Sequence, residues 1–108
     1  MGTSKSLQFS ESQNRKADLF KALGHPARVA IIEYLITQNS CVCGDIVGEL
    51  PLSQSTISQH LAALKQVGII KGEVEGVKTC YCIDENVLNE LNEMTINLKS
   101  SYSVNKCC

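Results

Sequence analysis

The stretch from Cys43 to Gly68 restricts this chain more than any other. Cys43-Gly-Asp-Ile-Val-Gly-Glu-Leu50 places Ile46, Val47 and Leu50 on one helical face, which predicts a short helix. Pro51 must end it, because a proline ring clashes with a continuing helix and pushes the residue before it toward extended backbone. Ser53 then offers an N-cap, and Ile57, Leu61 and Leu64 line up at helical spacing as one apolar seam. Two short helices joined by a tight turn, the second one capped, make the helix-turn-helix pattern.

The flanking segments build around that unit. Residues 1–12 are polar and aperiodic and read as a flexible arm. Ala17, Phe20 and Leu23 recur at helical spacing, and Gly24-His25-Pro26 stops that helix and starts another with proline in its first turn. Ala27, Ala30, Ile31, Tyr34 and Leu35 form the packed face of the second helix; Val29, Ile32 and Ile36 add a stripe, so burial on two sides is expected. Gly68 closes the capped helix, and strands over 69–75 and 78–83 about a turn at Gly76 predict a β-hairpin wing. Asp84 caps a last helix in which Val87, Leu91, Met94 and Leu98 form a narrow seam, the mark of a dimer interface in so small a domain. Residues 100–108 read as a flexible tail ending in Cys107-Cys108. The expected fold is mainly α with a small β-hairpin, a winged helix-turn-helix over 13–99.

A chain of 108 residues supports one domain with a modest core. No apolar run is long enough to span a bilayer and the first residues lack the apolar block of a signal peptide, so a cytoplasmic protein is expected. Met1-Gly2 followed by Ser6 matches an N-myristoylation pattern only superficially, and no membrane partner is expected. A net charge of −1 excludes a broadly basic surface. Binding to DNA must therefore rest on local geometry.

The order helix, helix, helix-turn-helix, wing, helix is accompanied by Leu23-Gly24-His25-Pro26-Ala27-Arg28, Cys41-Val42-Cys43, Ser53-Gln54-Ser55-Thr56-Ile57-Ser58-Gln59-His60-Leu61 and Gly68-Ile69-Ile70. With these the chain resembles the ArsR/SmtB family of metal-responsive repressors, from about Arg15 to Leu98. The resemblance implies a homodimer, joined through the first and last helices, that binds double-stranded operator DNA without metal and releases it when metal binds.

The DNA-reading face follows independently from the seam. With Ile57, Leu61 and Leu64 turned inward, Gln54, Ser55, Ser58, Gln59 and Ala62 face out. Glutamine bonds adenine bidentately in the major groove, and serine serves bases or phosphates. Lys65, Lys71, Lys78 and Arg28 are candidate backbone contacts, although Glu73 and Glu75 cancel the two wing lysines, and His60 either reaches a phosphate or caps local structure.

Six cysteines fall into three close pairs: Cys41/Cys43, Cys80/Cys82 and Cys107/Cys108. Residues two apart in a regular helix point away from each other. At a helix start they need not, and with Cys43 in the first turn the positive end of the helix favours thiolates. Two thiolates suit soft ions: a third completes the trigonal shell expected for As(III) or Sb(III), and a fourth suits Cd(II), Pb(II) or Zn(II). In related arsenic sensors a third cysteine follows three residues after the second, a position held here by Ile46. The missing ligand is expected first from Cys107 and Cys108; Cys80 and Cys82, which share one face of a strand, either form a second pair or complete the first. The family's alternative site on the last helix uses aspartate, glutamate and especially histidine, and residues 84–102 contain no histidine.

These residues predict a repressor released by a thiophilic ion at Cys41/Cys43, As(III) being favoured over Sb(III), Cd(II), Pb(II) and Zn(II). No permanent cofactor or enzymatic activity is expected. A redox- or polysulfide-sensing repressor of the same fold is the alternative. A small thiol-disulfide enzyme is remote, because the Cys-x-x-Cys motif and a βαβ context are missing.

Overall fold

The computed structural model describes residues 8–38, 42–43, 50–75 and 78–107. Helix α1 (Glu11–Leu23) opens with a capping box, in which the Ser10 hydroxyl accepts from the Gln13 amide and the Gln13 side chain accepts from the Ser10 amide. Helix α2 (Pro26–Ile36) follows directly, with Pro26 in its first turn and the His25 Nδ1 accepting from the Ala27 amide at 3.0 Å. Next come the two-residue strand β1 (Val42–Cys43) and helix α3 (Gln54–Gln66), capped by the Ser53 hydroxyl as expected. Strands β2 (Ile70–Glu75) and β3 (Lys78–Ile83) form the wing, and helix α4 (Glu85–Asn105) ends the described fold.

One core joins these elements. Leu19 and Ala22 of α1, Ile31, Ile32 and Leu35 of α2, Ile57, Leu61 and Leu64 of α3, Ile69 and Ile70 at the start of the wing, and Val87 and Met94 of α4 are all buried. The phase of α1 differs from the sequence reading: Leu19, Ala22 and the half-buried Leu23 face inward, while Ala17 and Phe20 are exposed. Both triplets satisfy helical spacing, so periodicity alone does not choose between them. Of the second stripe expected on α2 only Ile32 is buried, while Val29 and Ile36 remain 42% and 57% exposed. In α4 the seam sinks into the core at Val87 and Met94, whereas Leu98 is 59% exposed.

The junctions are tight. Helix α3 ends in a Schellman arrangement: Gly68 sits at φ 87, its amide bonds the Lys65 carbonyl at 3.0 Å, and the Ile69 amide reaches the Leu64 carbonyl at 3.1 Å. A left-handed φ of this kind suits glycine. The Asp84 amide bonds the Ile69 carbonyl at 2.9 Å and the Asp84 carboxylate caps α4 at the Asn86 amide, so the wing ends where the last helix starts. Arg15 of α1 grips Glu90 of α4 through both carboxylate oxygens, at 2.8 and 2.9 Å, and donates to the Val67 carbonyl at the end of α3 at 2.9 Å. That bond holds Glu90 below the usual carboxylate range.

Two expectations are corrected. The wing is part of a three-stranded sheet of order β1-β3-β2, and Cys43 lies in the strand β1 rather than in the first turn of a helix. Strand β3 needs partners on both edges, and Val42-Cys43 supplies backbone groups to the edge that β2 leaves open. The expected helix over Cys43–Leu50 otherwise falls on residues 44–49, outside the described residues. At the other end α4 runs to Asn105, so most of the segment expected as a tail is helical.

Candidate nucleic-acid interface and thiol sites

On α3 the inner and outer faces divide sharply. Ile57, Leu61 and Leu64 anchor the helix, while Gln54, Ser55, Ser58, Gln59 and Ala62 are exposed along the opposite face. Exposed glutamine and serine side chains on a helix are of the kind that bond base edges in a major groove. Lys65 and Lys71 are exposed beside it, and Lys78 opens β3. The Lys65 side chain extends over the wing strand, where Gly72 leaves space: a Cβ there would lie 3.2 Å from its Nζ.

His60 and Arg28 are packed against each other, which is the local structural role the sequence left open for His60. His60 is only 8% exposed, and Arg28 donates from Nε to its Nδ1 at 3.1 Å. Arg28 also donates to the Ala22 carbonyl at 3.2 Å, and the His25 ring lies 4.5 Å from that of His60. Burial first, then the charges on His25 and Arg28, hold His60 below the usual histidine range. Its Nδ1 accepts, so the neutral ring carries its proton on Nε2. His25, Arg28 and His60 thus pin α2 to α3 beneath the exposed face. Sequence reasoning missed the Arg15 clamp altogether; a lone arginine and a lone glutamate seventy-five positions apart carry no local signal.

The cysteines are brought together in part. In the β1–β3 ladder Val42 faces Tyr81 and Cys43 faces Cys80. Cys80 is 1% exposed and Cys82 half-buried, and both are disulfide-bonded. Cys107 is exposed just beyond α4, whereas Cys41 and Cys108 lie outside the described residues. Among the described residues no three His, Cys, Asp or Glu side chains stand close enough to hold a metal. The proximity of Cys43 to Cys80 had one visible trace, the Cys-x-Cys spacing occurring twice.

A capped helix with a polar outer face, followed by a β-hairpin wing, defines a winged-helix DNA-binding protein. Residues 25–71 match the model of the bacterial regulatory protein arsR family. The uncharacterized HTH-type transcriptional regulator MJ1325 of Methanocaldococcus jannaschii is 38% identical over 89 residues, covering 82% of this chain and 99% of that relative. The cadmium resistance transcriptional regulatory protein CadC homolog of Staphylococcus aureus is 37% identical over 78 residues, 71% of this chain and 64% of that one. In structure, the ArsR-like transcriptional regulator from Rhodococcus sp. RHA1 superposes with a TM-score of 0.76 at 21% identity, covering 87% of this chain and 88% of that chain. The chain belongs to the ArsR family and is a DNA-binding transcriptional regulator. Among the described residues no helix is long and apolar enough to cross a membrane.

Proposed function

We propose that this regulator is a homodimeric repressor that leaves its operator when a thiophilic ion, As(III) before Sb(III), Cd(II), Pb(II) or Zn(II), is held by Cys41 and Cys43. The observation that carries the proposal is the position of Cys43: its strand lies between α2 and α3 in sequence and pairs with wing strand β3. An ion pulling on that strand acts on the sheet beside the DNA-reading helix, a coupling between two states of one packed unit. The name of the CadC homolog, a cadmium resistance regulator, supports a soft-ion signal. Gln54, Ser55, Ser58 and Gln59 read bases, with Lys65, Lys71 and Lys78 on phosphates. Exposed apolar side chains on both terminal helices, Phe20 of α1 and Ile96, Leu98 and Tyr102 of α4, support dimerisation through these helices.

The test is operator binding titrated with each ion, beside the Cys41→Ser/Cys43→Ser double variant. The variant keeps operator affinity and loses ion-induced release. Release at unchanged ion concentration would remove this site from the mechanism. The disulfide-bonded state of Cys80 and Cys82 favours a second reading, in which an oxidant or polysulfide is the signal on the same fold.

A further inference from the structure

We infer that Cys80 is the disulfide partner of Cys43, so that oxidation stitches strand β1 to the wing and withdraws Cys43 from ion binding. Cys80 and Cys82 cannot bridge each other. Two positions apart on one strand their Cβ atoms run parallel at about 6.6 Å, beyond the ~3.5–4.5 Å a disulfide requires. Toward β2 neither meets a cysteine, because Cys80 faces Glu73 and Cys82 faces Lys71. Toward β1, Cys80 faces Cys43. Residues directly opposite on antiparallel strands have Cα atoms about 4.5–5.5 Å apart, inside the ~4.4–6.8 Å window of the bond. Register therefore selects one partner for Cys80 among the described residues.

The chemistry balances with a peroxide as oxidant. One thiol reduces the peroxide to water and becomes a sulfenic acid; the facing thiol attacks that sulfur and expels a second water. Two S–H bonds are lost, one S–S bond forms, and two electrons pass to the peroxide. Reduction by a dithiol reverses the step. A sulfur in a disulfide is no thiolate ligand, so the two signals exclude each other at Cys43. That consequence rests on the ion reading proposed above, whereas the bond itself does not.

The full chain is treated with hydrogen peroxide, alkylated, and digested without reductant by trypsin and chymotrypsin, which isolate Thr79-Cys80-Tyr81 from Cys82. Mass spectrometry is expected to find this peptide linked to the one containing Cys43, in the parent chain and in Cys41→Ser, and to lose the link in Cys43→Ser. A fully alkylated Cys80, or a link from it to Cys82 or Cys107, overturns the inference. Arsenite binding is measured on the same samples: oxidised protein is expected to bind none until dithiothreitol restores it, and undiminished binding by the linked form overturns the exclusion. If reduced protein ignores arsenite while the link forms, the ion reading fails and the disulfide stands.

Discussion

The DNA-reading helix and the strand that precedes it in sequence are built on opposite terms. Helix α3 is determined from within: Ser53 caps it, three apolar residues anchor it, and Gly68 closes it, all inside sixteen residues. Strand β1 has two residues and no periodicity; it exists because β3, almost forty positions later, has an open edge. The first kind of element is stable in its shape and its face is readable locally. The second depends on what its distant partner does, which suits it to carrying a signal.

Leu64→Ala tests the first term most severely. With Leu64 fully buried, truncation is expected to cost about 2–5 kcal/mol in denaturant unfolding; a cost under ~1 kcal/mol would mean α3 is not anchored as described. Next in size, Gln54→Ala or Gln59→Ala should weaken operator binding by about 1–3 kcal/mol with an unchanged unfolding midpoint. If either instead weakens specific and nonspecific DNA equally, that glutamine reads backbone and not bases.

Arg15→Ala should cost about 1 kcal/mol, discounted because both partners are partly exposed. The Glu90 carboxylate is held below its ordinary value, so its contribution is present above the unfolded pKa of 4.5 and is lost as pH falls through the lower folded value. Unfolding measured across that range should show a shallower acid loss in Arg15→Ala. The smallest effect concerns His60. Its folded pKa is depressed below 6.5, so the unfolded chain takes up a proton first; stability is complete above 6.5 and falls below it. Replacement of His60 by leucine should flatten that slope, and an unchanged slope would assign it to another group.

The legible parts of the molecule were those whose causes are local. The caps at Ser53 and Asp84, the turn into Pro26, the hairpin and the exposed set on α3 all follow from residues within a few positions of one another. The exposure of Phe20 is not legible, because two triplets of α1 fit the same period and only the partner helices decide which one is buried. The sequence leaves His60 between a phosphate contact and a local structural role, because Arg28, which donates to its ring nitrogen, stands thirty-two positions away. Cys43 reads as a helix start in sequence for the same reason: its partner across the ladder, Cys80, is distant in the chain.

The Arg15 guanidinium has a consequence for the operator itself. It holds the end of α3 through Val67 and the last helix through Glu90 while itself belonging to α1. In a dimer joined through α1 and α4, the distance between the two reading helices is thereby fixed at a bolt point next to the interface. Such a protein should tolerate changed letters within a half-site better than one base pair inserted between half-sites, which rotates one site by about a tenth of a turn relative to the other.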